Sequence, residues 1–127
     1  MYSLILLGST GSIGVNTLAV AKKFNISVEV LVAGKNIDLL NEQIKIHNPT
    51  TVVIADEKDK LSVNHGNVYA GSENILKAIE DSKSTLVVNA LVGFLGLRPT
   101  LKAIECGKKV ALANKESLVA CGKFIDI

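Results

Sequence analysis

Three glycines spaced three residues apart follow the first apolar run of the chain. Gly8, Gly11 and Gly14 come directly after the run Tyr2 to Leu7 and open an amphipathic stretch, so they lie where a strand leads into a helix. The first N–H groups of a helix lack intrahelical partners and the helix dipole adds partial positive charge, so this position binds anions. Glycine there permits a sharp turn, close approach of backbone to phosphate, and tight packing of helix on sheet. The spacing predicts a dinucleotide pyrophosphate site, with a plain glycine-rich turn as the alternative.

A lysine follows the second apolar run, where folds that bind NAD usually carry a carboxylate. Lys35 and Asn36 come directly after the stretch Val32 to Gly34. A carboxylate would bind the ribose hydroxyls and repel a 2′-phosphate, whereas an ammonium donates charge-assisted hydrogen bonds to that phosphate. The alternative is structural, with Asn36 capping the helix that begins at Ile37 and Lys35 as a solvated surface charge. We predict NADP rather than NAD, with capping by Asn36 expected in either case.

An amide, an ammonium and a carboxylate stand side by side after the last apolar run. Asn114 has the groups to bind the nicotinamide ribose, and Lys115 has the charge to bind an anionic substrate or polarise a carbonyl. Glu116 has the oxygens to accept a hydroxyl or to orient Lys115. The alternative is a helix start with Asn114 as the N-cap and Glu116 in the first turn. Earlier in the chain, Arg98 ends a second glycine-containing loop and suits either a phosphate contact or a surface charge.

The composition argues against several classes of protein. The chain has 127 residues, 48% of them hydrophobic, which suits one domain with a sizeable core. It has 14 Lys and Arg against 12 Asp and Glu and only 4% aromatic residues, so we expect no nucleic-acid partner. No apolar run approaches the roughly 20 residues of a membrane helix, which predicts a cytoplasmic protein without a membrane partner.

Isolated cysteines and histidines form no disulfide or metal pattern. Cys106 and Cys121 make no C-x-x-C pair and are expected to be reduced packing residues. His47 and His65 have no Asp, Glu or Cys at ligand spacing, so we assign no metal ligand. His47 is instead expected to end a helix, where a cation complements the dipole.

Apolar runs alternate with helical patterns along the chain, which is typical of a parallel sheet with helices on both faces. We predict an α/β fold, a Rossmann-like doubly wound parallel sheet, with residues 1–127 as one domain. A helical stretch starting at Glu116 runs to the last residue, so we expect a domain cut from a longer protein. The predicted strands are Tyr2 to Leu7, Ile26 to Ala33, Thr51 to Ala55, Thr85 to Asn89 and Lys109 to Ala113, with a possible short strand at Asn67 to Ala70.

Helical periodicity and end signals place the connecting helices. Ser72 is the expected N-cap of the third helix, Pro99 the first residue of the fourth, and Gly107 its C-terminal stop. The apolar faces are expected to comprise Ile13, Thr17, Val20, Ala21 and Phe24 in the first helix and Ile37, Leu40, Ile44 and His47 in the second.

Together the motifs resemble those of the 1-deoxy-D-xylulose 5-phosphate reductoisomerase family. The resemblance implies the NADPH-binding amino-terminal domain of an enzyme on the methylerythritol phosphate route to isoprenoid precursors. A divalent cation (Mg, Mn or Co) would assist rearrangement of the substrate to an aldehyde, which hydride from NADPH reduces to 2-C-methyl-D-erythritol 4-phosphate. Four stretches carry the resemblance, of which the last is the most specific: Leu7 to Gly14, Ala33 to Asn36, Val92 to Thr100 and Leu112 to Val119.

The resemblance also implies roles for individual residues. The pyrophosphate region would be held by Thr10, Gly11, Ser12 and Ile13, and the 2′-phosphate side by Gly34, Lys35 and Asn36. Asn114 and Glu116 would also contact NADPH, and Lys115 would contact the sugar phosphate substrate. Family members are considerably longer and carry acidic metal ligands beyond the position of Ile127. We therefore expect this chain alone to be inactive and to hold no metal ligand, and the full-length enzyme to be a homodimer.

Two alternatives remain open on the sequence alone. An NADP-dependent semialdehyde dehydrogenase or a dihydrodipicolinate reductase also has a G-x-x-G-x-x-G loop near its amino terminus, although the stretch Asn114 to Glu116 argues against both. The other alternative is a non-catalytic module that senses a nucleotide.

Overall fold

Six strands alternate with four α-helices and two 3-10 turns in the part of the chain that the computed structural model describes, residues 2–91 and 93–112. The strands are β1 (Ser3–Leu7), β2 (Ser27–Val32), β3 (Thr51–Ile54), β4 (Val68–Ala70), β5 (Leu86–Asn89) and β6 (Lys109–Leu112). The helices are α1 (Ser12–Lys23), α2 (Ile37–His47), α3 (Ser72–Asp81) and α4 (Leu97–Glu105), and the 3-10 turns are Glu57–Ser62 and Gly93–Gly96.

The strands form one parallel sheet in the order β4-β3-β2-β1-β5-β6. The chain moves outward from β1 to β4 and then crosses back to the far side of β1. Leu7 at the end of β1 is therefore flanked by Val32 of β2 and Asn89 of β5. The loops that leave β1 and β5 diverge at this point, which is where open α/β sheets bind ligands.

A hydrophobic core covers each face of the sheet. Leu4 and Leu6 of β1 pack in one core with α1 and α2, while Ile5 and Leu7 pack in the other with α3 and α4. This alternation follows from the two-residue period of a strand. The doubly wound α/β fold expected from the sequence is confirmed, and the short strand expected near Ala70 is β4. No helix among the described residues is long and apolar enough to cross a membrane.

The packed face of α1 differs from the predicted one. Val20 and Phe24 are 52% and 64% exposed, although they were expected to face the core. The buried residues of α1 are instead Gly14, Leu18 and Ala21. The close packing of Gly14 determines which face of α1 meets the sheet. The larger side chains of Val20 and Phe24 therefore remain in solvent. The predicted face of α2 is confirmed at Leu40 and Ile44, which are buried, and at Ile37, which packs against the core.

Two helix starts also differ from prediction. The residue that precedes α3 is Gly71, with a positive φ of 97°, so Ser72 is the first helical residue rather than the N-cap. The fourth helix begins at Leu97 because the turn Gly93–Gly96 runs directly into it. Pro99 is thus its third residue, which is tolerated because the first N–H groups of a helix have no intrahelical partners.

Two other predictions for helix ends are confirmed. Asn36 caps α2 as predicted, accepting a hydrogen bond from Leu39 N at 3.3 Å. Gly107 follows α4 with a φ of 75° and donates its N–H to Ile104 O at 2.9 Å, as expected of a helix stop.

Cys106 departs from its predicted environment, whereas His47 ends a helix as predicted. Cys106 is exposed rather than packed. His47 is the last residue of α2, but burial and then the nearby charge of Lys22 lower its pKa. The lowered pKa disfavours the charged imidazole that we expected at this helix terminus.

Candidate functional site

The loop between β1 and α1 is fixed to its neighbours by backbone contacts. Gly8 has a φ of 87°, a left-handed conformation that favours glycine. Gly8 N and Ser9 N both donate to Val32 O, at 2.8 and 3.0 Å. A Cβ on Gly8 would lie 3.0 Å from Ala90 O in the loop after β5. The turn is therefore held between the ends of the two strands that flank β1.

Gly14 brings the first turn of α1 directly onto this loop. A Cβ at Gly14 would lie 2.8 Å from Ser9 Cα and closer still to Gly8 O, and both distances are shorter than real Cβ atoms show. Both atoms belong to backbone and have no side-chain freedom with which to move away. Only glycine fits at this position. The glycine spacing predicts close packing of the helix on the sheet, and the structure places Gly14 on the loop that leaves β1.

The beginning of α1 is open to solvent and has no side-chain cap. Gly11 is the N-cap residue in an extended conformation, and no side chain accepts from the helix start. Gly11 and Ser12 are exposed, and Thr10 and Ile13 are partly exposed. The first turn contains no acidic residue. The predicted pyrophosphate-binding residues are therefore contiguous at a helix N-terminus whose free N–H groups and dipole favour an anion.

The residues predicted to hold the 2′-phosphate side are exposed and follow β2 on the same sheet edge. They are Gly34, Lys35 and Asn36. A Cβ on Gly34 would meet no atom within 4 Å, so the backbone there is open. Lys35 has no salt-bridge partner among residues 2–91 and 93–112. Asn36 accepts the capping hydrogen bond of α2 from Leu39 N. Among the residues that the structure describes, Lys35 is thus a cation without an ion-pair partner, beside the strand that adjoins the glycine loop.

A cleft of about 440 Å³ opens beside this group at the carboxyl edge of the sheet. Its walls come from the ends of β2 and β3, the starts of α3 and α4, and the loop after β5. Most of the lining is apolar, from residues such as Ile54, Ile75 and Leu91. Arg98 lines the cleft and donates to Glu73 Oε1 at 3.0 Å, so the two residues form a surface ion pair. An apolar slot with polar groups at its rim suits a flat aromatic ring.

Comparison with known proteins identifies the family. The family model for 1-deoxy-D-xylulose 5-phosphate reductoisomerase matches residues 4–122. The chain belongs to this family. The 1-deoxy-D-xylulose 5-phosphate reductoisomerases of Campylobacter lari and Nautilia profundicola are 58% and 60% identical to it over 123 residues, 97% of this chain and 34% of each relative. The resemblance predicted from the motifs is confirmed, and the semialdehyde dehydrogenase and dihydrodipicolinate reductase alternatives are set aside.

Solved structures of the family have the same fold. The reductoisomerase from Zymomonas mobilis in complex with NADPH superimposes with a TM-score of 0.82 at 33% identity, over 98% of this chain and 35% of that one. A reductoisomerase in complex with magnesium gives 0.81 at 30% identity, over 99% of this chain and 34% of that one. The chain therefore spans about a third of the length of the reductoisomerases that it matches.

The loop after β5 is held by a buried side chain that the sequence analysis did not single out. Asn89 is 3% exposed. Its Nδ2 donates to Gly96 O at 2.8 Å and to Thr100 Oγ1 at 2.7 Å, and its Oδ1 accepts from Leu91 N at 3.1 Å. Asn89 thus ties the end of β5 to the start of α4. A polar residue at the end of an otherwise apolar strand is the only sequence signal for this role.

Part of the predicted site lies outside the described residues. Asn114, Lys115 and Glu116 belong to that part, as does Val92. Within residues 2–91 and 93–112, no group of three or more His, Cys, Asp or Glu side chains could hold a metal ion. His65 has a structural role there, since its Nε2 contacts Pro49 O at 2.7 Å and its Nδ1 accepts from Asn67 N at 3.0 Å.

Proposed function

We propose that this chain binds NADPH for a 1-deoxy-D-xylulose 5-phosphate reductoisomerase. The enzyme would rearrange and reduce 1-deoxy-D-xylulose 5-phosphate to 2-C-methyl-D-erythritol 4-phosphate, as the family name and the motifs imply. The observation that carries the proposal is the close packing of Gly14 on Gly8 and Ser9, which leaves an uncapped helix N-terminus at the switch point of the sheet. NADPH, when bound, supplies the hydride for the reduction.

The described residues fit the cofactor in three places. The uncapped start of α1 offers N–H groups to the pyrophosphate, from the stretch Thr10, Gly11, Ser12 and Ile13. The apolar cleft is large enough to hold an adenine ring against Ile54 and Ile75. Gly34 lines this cleft, and Lys35 and Asn36 follow it in the chain. Lys35, which has no ion-pair partner among the described residues, would bind the 2′-phosphate there.

The remaining roles concern residues outside the described part of the chain. We propose that Asn114 and Glu116 contact NADPH and that Lys115 binds the phosphate of the sugar substrate. We place no ligand for the divalent cation (Mg, Mn or Co) in this chain. We further propose that the 127 residues alone are inactive and that the full-length protein acts as a cytoplasmic homodimer.

The Lys35→Ala substitution tests the cofactor assignment. The full-length protein should bind NADPH more tightly than NADH, and the variant should lose about tenfold in NADPH affinity while NADH affinity stays unchanged. The expected loss is modest because an exposed charge-assisted hydrogen bond is screened by solvent. Fluorescence titration of each reduced cofactor measures both dissociation constants.

The matched control is Lys45→Ala, which removes the same charge from the other end of α2. It should leave the preference for NADPH intact. Equal affinity of the unsubstituted protein for NADPH and NADH would contradict the proposal, and absence of binding to either would contradict the function itself.

A further inference from the structure

Gln43 is a buried amide on the face of α2 that packs against the sheet. It is 5% exposed and lies beside the buried Leu40 and Ile44. Its Nε2 donates to Ser9 O at 2.8 Å, joining α2 to the glycine loop 34 residues earlier in the chain. Through this hydrogen bond α2, which is not part of the glycine motif, contacts the loop of the proposed pyrophosphate site.

The bond to Ser9 O also determines the direction of the next N–H group. The carbonyl of Ser9 and the N–H of Thr10 belong to one peptide unit, which is planar and trans, so the two groups point in opposite directions. Because Gln43 holds the Ser9 carbonyl toward α2, the Thr10 N–H points away from α2. Ser9 N is fixed at the same time by Val32 O, at 3.0 Å. The loop therefore cannot rotate the Thr10 peptide without breaking the bond to Gln43.

The amide at this position brings both a stabilising hydrogen bond and an unsatisfied oxygen. Gln43 Oε1 and Ser9 Oγ are both buried and make no hydrogen bond among the residues that the structure describes. A buried polar atom without a partner costs about 1–3 kcal/mol, so the amide brings a cost along with its one hydrogen bond. An apolar side chain would avoid the unpaired oxygen of Gln43 but would remove the hydrogen bond that holds the Ser9 carbonyl.

We propose that Gln43 is a positioning residue for the pyrophosphate of NADPH. Through the Ser9 carbonyl it keeps the Thr10 N–H directed at the anion, and it does not touch the cofactor itself. The inference rests on the proposed function, since it assigns a role to the NADPH site. It also predicts a signature that differs from that of Lys35: both NADPH and NADH carry the pyrophosphate, so both should lose affinity together.

The test replaces the amide with an apolar side chain of nearly the same shape in the full-length protein. Gln43→Met should weaken binding of NADPH and of NADH by the same factor, about threefold to tenfold, as expected for one hydrogen bond that is no longer aligned. The ³¹P resonances of the bound pyrophosphate should shift relative to the unsubstituted complex. Titration at a temperature well below the melting temperature separates affinity from stability.

Asn41→Leu is the matched control on the same helix. Asn41 Nδ2 donates to Ser62 O at 2.9 Å and its Oδ1 accepts from Asn64 N at 2.8 Å, so it also ties α2 to backbone, but away from the glycine loop. This variant should lower the melting temperature without changing either dissociation constant or the ³¹P spectrum. If Gln43→Met does not fold, Gln43→Leu is measured in the same way.

The outcomes distinguish this inference from the proposed function. Unchanged affinities and an unchanged ³¹P spectrum in a folded Gln43 variant would show that the residue only supports the fold, which overturns the inference. A loss confined to NADPH would overturn it as well, because the 2′-phosphate would then be the group affected. Failure of the unsubstituted protein to bind either cofactor would instead refute the proposed function.

Discussion

The two edges of the sheet are built in opposite ways. At the carboxyl edge, glycines and backbone groups shape an apolar cleft and a helix N-terminus, and Lys35 stands without an ion-pair partner among the described residues. At the amino edge, charged and hydroxyl side chains bond to one another and to backbone. One edge leaves polar groups available for a ligand, whereas the other satisfies them internally.

Glu29 is the centre of the amino edge. Its carboxylate accepts from Ser82 Oγ at 2.7 Å, from Lys83 N at 3.2 Å, and from Ser84 N and Oγ at 3.0 and 2.6 Å. Partial burial raises the pKa of Glu29, but the hydrogen bonds from Ser84, Ser82 and Lys83 outweigh it and leave the pKa below its ordinary value. Lys108 Nζ donates to the carbonyl oxygens of Ser82 and Ser84, which closes the same turn.

A bulge in β2 places Glu29 in this network. The register with β1 passes from Val28 directly to Val30, so Glu29 has no partner on β1. Val28 and Val30 consequently pack in different cores, although a regular strand would direct both to one face. Bulges re-aim side chains in this way. The amino edge thus uses a backbone irregularity for stability, while the carboxyl edge uses glycines to form a site.

Gly14→Ala should have the largest effect of any substitution that tests this comparison. The added methyl group would meet the backbone of Gly8 and Ser9, which cannot move without displacing the loop. We expect a loss of about 3 kcal/mol in the free energy of unfolding. NADPH binding should be abolished at concentrations that saturate the unsubstituted protein. Chemical denaturation and fluorescence titration measure the two effects.

Gly66→Ala is the control for a glycine at which there is room for a methyl group. A Cβ there would meet no atom within 4 Å, and the residue has no positive φ. Its stability and cofactor affinity should match those of the unsubstituted protein. If Gly14→Ala behaved like Gly66→Ala, the close helix–loop packing would not be required at the carboxyl edge.

The glycine spacing made this carboxyl-edge loop predictable, whereas the rotation of α1 could not be predicted from the sequence. Apolar periodicity predicted which segments are helices and strands, because that signal is local. Periodicity predicted Val20 and Phe24 in the core because it does not detect that the smallest residue, Gly14, makes the closest contact. Gln43 was missed for a related reason, since a single amide among polar helix residues looks like surface until tertiary structure brings Ser9 to it.

Glu29→Gln should have an intermediate effect, confined to stability. The neutral amide retains the shape but loses the charge that Ser82, Ser84 and Lys83 bond to. Allowing for the screening of a partly exposed group, we expect about 1–2 kcal/mol less stability at pH 7. The affinity for NADPH should not change, because the two edges lie at opposite ends of the strands. Exposed Glu42 provides the control variant Glu42→Gln, with the same change in charge.

The pH dependence of stability follows from the lowered pKa of Glu29. A group whose pKa is lower in the folded state stabilises the fold fully above its ordinary pKa of 4.5, and this contribution is lost as pH falls through the folded value. The difference in stability between the unsubstituted protein and Glu29→Gln should therefore shrink as the pH is lowered below about 4.5. A difference that stayed constant down to pH 3 would show that the carboxylate charge is not what stabilises this edge.

Arg98→Ala should have the smallest effect on stability, although Arg98 lies in the wall of the cleft. Its partner Glu73 is 77% exposed and Arg98 itself is 63% exposed, and such pairs contribute only about 0.2–1 kcal/mol. A double-mutant cycle with Glu73→Ala should give a coupling energy at the low end of that range. Thermal denaturation at low and high salt measures it, and the coupling should disappear at high salt. A large coupling that persists at high salt would mean that the carboxyl edge, like the amino edge, is closed by its own charges, and Arg98 would then be unavailable to a ligand.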